Sequence, residues 1–159
     1  DVAVIAGPAS RSALTSVPLA HARFAWCAGP GVARGLQRMD ADAVQSHPLV
    51  TLPQGSGVTH IIDDWLRQAD ARPARRLVCN HWGAIVGLLA QGSGIGLLPE
   101  GWAQALHARD VLQVLPSLVP LGALDYALHS RRDDLRPLVS MLHGLAAQHA
   151  DFTVASGAF

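Results

Sequence analysis

GLLAQGSGIGLLP, residues Gly87 to Pro99, carries an apolar helix into a glycine-rich turn and out again as an apolar strand that stops at proline. Upstream, Trp82, Ile85, Val86 and Leu89 fall at helical spacing, and Leu88 and Ala90 widen the stripe. Gly92 and Gly94 supply the permissive backbone that a helix C-terminus requires. Ile95, Leu97 and Leu98 follow as a short buried-strand run, and Pro99 ends it. The order of the parts excludes a dinucleotide fingerprint, whose glycines follow a strand and open a helix; here they close one. The stretch is a helix-to-strand joint of an α/β core.

Outward from this joint the same alternation continues. Val2 to Ala6 reads as a buried strand halted by Gly7 and Pro8, and Ser10 to Pro18 as a polar, irregular loop. Arg23 to Cys27 is a second strand, with a turn at Gly29-Pro30-Gly31 and a weakly helical stretch through Met39. Leu49 to Leu52 is a third, stopped by Pro53. After Gly55-Ser56-Gly57, the residues Val58, Ile61, Ile62, Trp65, Leu66 and Ala69 recur at helical intervals, the clearest helix in the chain. Arg76 to Asn80 feeds the helix of the joint, and Ile95 to Leu98 leaves it. Trp102 to His107 is a short helix started by Pro99 and Glu100, and Val111 to Leu115 a short strand. Leu124, Tyr126 and Leu128 alternate with Asp125, Ala127 and His129, a strand with one buried and one polar face. The last helix carries Leu135, Leu138, Val139, Leu142 and Leu145 on one side, with Pro137 in its opening turn. A loose tail begins at Phe152. Strands alternating with helices predict βαβ units and a mostly parallel sheet.

Half of the 159 residues are apolar, enough for a core of the chain's own. Twelve basic residues balance twelve acidic ones, so the positive excess of a nucleic-acid-binding module is missing. Cys27 and Cys79 lie far apart in apolar surroundings, which fits reduced packing residues better than a disulfide framework and leaves a single bridge open. No apolar run reaches the length of a membrane span and no signal peptide is present, so the expected location is the cytoplasm. The chain enters a strand directly from Asp1, as a piece of a longer polypeptide would.

Several segments, in order, resemble the effector-binding domain of LysR-type transcriptional regulators. Asp1-Val2-Ala3-Val4-Ile5 looks like the strand that family writes Asp-Leu-Ala-Ile. Val17-Pro18-Leu19 with the strand to Cys27 looks like the crossover into the second lobe. His47-Pro48-Leu49-Val50 and Ile62-Asp63-Asp64-Trp65-Leu66 resemble the next strand and helix. Leu89 to Pro99 is the most specific match, and Tyr126-Ala127-Leu128 with Pro137 to Leu145 resembles the return strand and final helix. The resemblance implies a two-lobed α/β domain of the type II periplasmic-binding-protein kind with a cleft between lobes. Residues 1–20 would belong to lobe I and the crossover, 21–124 to lobe II, 125–150 to the return strand and final helix of lobe I, and 151–159 to a tail. The family's first βαβ unit is missing, so lobe I is expected to be incomplete. The resemblance also implies a small-molecule effector, a homodimer or homotetramer, and DNA contact only through an absent N-terminal helix-turn-helix.

Ligands of open α/β sheets bind outside the carboxyl ends of strands. That rule singles out Ile5, Ala6 and Gly7 after the first strand, Gly55, Ser56, Gly57 and Thr59 at one helix start, and Asn80, His81 and Trp82 at another. Unpaired N–H groups and the helix dipole favour a carboxylate or other anion at such starts. Ser56, Thr59 and Asn80 serve equally as plain helix caps, and Trp82 is either ligand wall or core.

Support for catalysis is thin. The eight histidines are scattered, with no HExxH, CxxC or paired-histidine spacing, so neither a metal nor another cofactor is expected. Ser56 and Ser93 lack the Gly-x-Ser-x-Gly frame of a nucleophile elbow, and His60 on the same helix start would point away from Ser56. Arg131-Arg132-Asp133-Asp134 reads as a solvated strand-to-helix loop. A free-standing solute-binding protein of the same fold is the competing reading, and a hydrolase a more distant one.

Overall fold

The computed structural model describes residues 1–6 and 12–151. Along the chain run β1 (Val2–Ala6), β2 (Leu14–Ala22), β3 (Phe24–Ala28), α1 (Pro30–Ala33), α2 (Ala41–Ser46), β4 (Leu49–Thr51) and α3 (Gly57–Gln68). They are followed by β5 (Arg76–Val78), α4 (Trp82–Ala90), β6 (Ile95–Pro99), α5 (Glu100–His107), β7 (Gln113–Leu115), β8 (Leu124–Arg131) and α6 (Pro137–His149). Among the described residues two compact units form: Asp1–Ala22 together with residues 123–151, and Arg23–Gly122. Gly7, Pro8, Ser10 and Arg11, and the tail from Phe152, lie outside the described residues.

In the first unit β8 lies between β1 and β2, antiparallel to both. The irregular loop expected up to Pro18 is instead strand from Leu14 onward. Pro18, which has no N–H to donate, stands exposed at a register shift of β2, where a strand tolerates it. The two-faced pattern expected of β8 holds only in its first half: Leu124 and Tyr126 are half-buried and Asp125 exposed, whereas Ala127, Leu128, His129 and Ser130 are all buried. The stripe expected on α6 divides. Val139 is buried, while Leu138, Met141 and Leu145 are exposed, and Leu135 precedes the helix and is 89% exposed.

The second unit is built on a five-stranded sheet of order β5-β4-β6-β3-β7. Strand β4 is parallel to β5 and to β6, but β3 is antiparallel to β6 and β7. The expectation of mostly parallel sheets is therefore corrected to mixed ones. Hydrophobic alternation shows that a strand exists, not which way it runs, and one reversed strand converts two pairings. The segment before β4 also holds a helix that composition concealed. In α2, Asp40 caps the first turn by accepting from the Ala43 N–H at 3.1 Å.

Successive residues of β3 face opposite sides of this sheet and show where its helices lie. Trp26 meets Trp65 of α3 edge to face, centroids 5.0 Å apart. Ala25 and Cys27 cluster instead with Val50 and with Ile85 and Leu89 of α4. So α3 and α4 cover opposite faces, as right-handed crossovers in opposite directions require. The Gly87–Pro99 joint binds α4 to β6. Gly92 (φ +74°) follows the C-cap, its N–H donates to Leu89 O and that of Ser93 to Leu88 O, both at 2.9 Å, which is a complete Schellman motif. At Gly94 the chain passes so close to the start of β4 that an added Cβ would stand 2.1 Å from Pro48 O.

Candidate binding site at the carboxyl edge of the five-stranded sheet

Since β4, β5 and β6 run in one direction, α3, α4 and α5 all begin at one edge of the sheet. Thr51 pairs with Val78 and the Cys79 N–H donates to Thr51 O at 2.9 Å, so the β4 and β5 ends, and the loops leaving them, are side by side. The loops leave toward opposite faces of the sheet, at the carboxyl ends of strands beside which open α/β sheets hold ligands.

At the start of α3, Ser56 is the N-cap and its Oγ accepts from the Thr59 N–H at 3.2 Å. The Thr59 hydroxyl is buried, 3.2 Å from Leu52 O and 3.0 Å from Pro53 O, and donates into the loop. Thr59 is therefore a clasp holding β4 to α3 rather than an exposed ligand contact. Gly55, at φ +91°, adopts a left-handed conformation that a side chain would strain. Helix geometry leaves the N–H groups of Gly57 and Val58 without intrahelical partners.

At the start of α4, His81 is the N-cap, and its Nδ1 accepts from the Gly83 N–H at 3.1 Å. A cap that accepts through Nδ1 carries its proton on Nε2, so the exposed ring presents an N–H donor outward. Asn80 beside it is exposed, and Trp82 is half-buried. Neither α3 nor α4 has an acidic residue in its first turn. The start of α5 differs: its first turn already carries a carboxylate of its own, Glu100, which pairs with Arg23 at 3.0 Å. Two of the three helix starts thus favour an anion and the third does not.

The remaining candidates belong to the first unit. Ile5 and Ala6 lie on β1 of the first unit, Ile5 exposed and Ala6 half-buried, and Gly7 is outside the described residues. In the Arg131 to Arg136 loop, Arg131 pairs with Asp133 at 2.7 Å and Arg136 with Asp134 at 2.6 Å. The Arg136 guanidinium holds the Asp134 carboxyl well below the usual carboxylate range. Ser16 Oγ lies 3.0 Å from His129 Nδ1, a contact no sequence spacing announced, but the two are register partners on β2 and β8, and the bond is a cross-strand tie. Among the described residues no three His, Cys, Asp or Glu side chains gather as a metal site would need, and no helix is long and apolar enough to cross a membrane.

A residue missed from sequence is Trp102, in the first turn of α5. Its ring meets that of Trp82 edge to face, centroids 6.1 Å apart at 77°. Twenty positions separate the two, and only the shared sheet edge brings them together.

A two-unit α/β chain with this sheet order and helix starts at one carboxyl edge is a periplasmic-binding-protein-like domain of type II. The family model described as LysR substrate binding domain matches residues 1–151, and the chain belongs to that family, the effector-binding part of LysR-type transcriptional regulators. Solved structures agree in fold. The effector binding domain of QuiR in complex with shikimate aligns with a TM-score of 0.74 at 17% identity, over 94% of this chain and 71% of that one. The Synechocystis PCC6803 CcmR regulatory domain in complex with 2-PG gives 0.75 at 16%, over 95% and 74%. The regulatory domain of MetR, a LysR family regulator from N. meningitidis, gives 0.73 at 15%, over 93% and 69%. No curated protein matches the sequence.

Proposed function

We propose that this chain senses a small anionic metabolite and does no chemistry on it. The effector binds at the carboxyl edge of the five-stranded sheet, its anionic group on the starts of α3 and α4 beside Ser56, Asn80 and His81. One observation carries this reading. Two helices, α3 and α4, follow adjacent parallel strands, capped by Ser56 and His81 and free of acidic residues in their first turns. The relatives in complex with shikimate and with 2-PG support a small-molecule effector by analogy. Binding better to one conformation than another shifts their populations, and the differential affinity sets the limit of the response. The change passes through a homodimer or homotetramer to helix-turn-helix domains outside this chain, in the cytoplasm; the balanced charge of the chain itself supports no direct DNA contact.

A thermal-shift panel of carboxylates and phosphorylated metabolites tests it. An effector at a hundred times its Kd adds about 2.7 kcal/mol to the folded state. The expected result is a ligand-induced rise in Tm that disappears in the Ser56→Ala, Asn80→Ala, His81→Ala triple variant, each protein being compared with its own ligand-free form. A rise that survives the triple substitution refutes the placement.

A further inference from the structure

The four tryptophans form two edge-to-face pairs of different character. Trp26 and Trp65 are each 1% exposed and fill the core beneath α3. Trp82 and Trp102 are only half-buried, although a tryptophan is large enough to gain strongly from full burial. This second pair stands at the carboxyl edge of the sheet, at the starts of α4 and α5. Trp82 is the first residue of α4, next to the His81 cap, and Trp102 is in the first turn of α5. Leu52 and Cys79, the residues that follow β4 and β5, are half-buried too and pack with Trp82 against the same core cluster. The third helix start, whose first turn already holds the Glu100 carboxylate, contributes an aromatic surface.

We infer that Trp82 and Trp102 form an aromatic wall of the effector site, selecting an effector whose anionic group is joined through a short link to a flat, apolar ring. This inference rests on the proposed site at the α3 and α4 starts. Charge and wall act on different parts of the ligand. The helix starts and the His81 Nε2–H hold the anion, and an edge-to-face tryptophan pair offers a ring face or edge on which a planar group packs better than a puckered one of equal size. Trp102 is then a specificity-determining residue that touches the ligand body, not its charge.

Three acids that share one carboxylate separate these contributions: phenylacetate, cyclohexylacetate and acetate. Their affinities are measured on the whole chain by tryptophan emission and calorimetry. Since Trp26 and Trp65 are sealed in the core, changes in emission report on Trp82 and Trp102. The expected order is phenylacetate over cyclohexylacetate over acetate, with about a tenfold gain of phenylacetate over acetate, the size of one good aromatic contact. Trp102→Leu, which keeps apolar bulk without the ring, reduces that gain to about twofold or less, and Trp102→Phe retains most of it. Equal affinity for the three acids, an absence of phenylacetate binding, or a preference unchanged in Trp102→Leu overturns the aromatic wall; in each case acetate binding that is lost in the Ser56, Asn80 and His81 triple variant leaves the helix-start site standing. Binding of both acids that survives the triple variant overturns the helix-start site, and the wall with it.

Discussion

Replacing Gly94 by alanine probes the joint between α4 and β6. A Cβ there would lie 2.1 Å from the Pro48 carbonyl oxygen, under the 3.0 Å that real Cβ atoms respect, so the two segments must separate by about 0.9 Å. The obstacle is backbone, so no side chain can swing aside. Separation also pulls on the 2.9 Å bond from the Ile95 N–H to Pro48 O, which begins the parallel pairing of Leu49 with Ile95. Overpacking of this kind costs about 1–3 kcal/mol, and a weakened buried hydrogen bond adds about 0.5–1.5 kcal/mol. The expected loss is about 2–4 kcal/mol, or a fall in Tm of about 5–15 °C for a chain of this size. All four tryptophans belong to the second unit, so thermal unfolding followed by tryptophan emission reads the unit that contains the joint. Gly31→Ala is the control, for nothing lies within 4 Å of its Cβ, and its Tm is expected to hold or rise slightly. A Gly94→Ala protein that melts within about 2 °C of the parent would show that β4 and β6 do not approach as closely as described.

Two further outcomes test the caps and the core. Ser56→Ala removes the acceptor for the Thr59 N–H and should cost about 0.5–2 kcal/mol in urea unfolding, whereas Ser56→Gly should cost a few tenths. Burial pushes the Cys27 thiol up to about 12, so a thiol reagent at mildly alkaline pH should label the half-buried Cys79 and spare Cys27 until the chain unfolds. Because the folded state keeps the Cys27 proton longer than the unfolded chain does, its contribution to stability is whole below an ordinary thiol value of about 8.5 and drains away as pH rises toward about 12. Cys27→Ala should flatten the stability curve in that window; an unchanged alkaline slope would count against the shift.

Much of the fold was legible because it rests on local patterns. The stripe from Val58 to Ala69 became α3 (Gly57–Gln68), and the joint became a Schellman-capped helix followed by β6. What was missed has consistent causes. Strand direction in β3 leaves no trace in hydrophobic alternation. Strand β2 hid behind Pro18, which is tolerated on an edge strand at a register shift. The short α2 was marked only by its Asp40 cap. The apolar residues of β8 and α6 were visible, but their burial depended on which neighbours lay alongside.

For the candidate site the division is similar. Sequence alone placed the two helix starts and the Ser56 cap of α3, because a cap acts on an N–H group a few positions away, but the cap of α4 is His81 and not Asn80. It also determined the charge balance and the glycines that the turns demand. Only the tertiary structure decided that Thr59 faces inward as a clasp, that Glu100 pairs with Arg23, and that Trp102 joins Trp82 at the same edge. Those facts depend on parallel strands aligning three loops that are distant in the chain, and side-chain periodicity carries no record of which loops will meet.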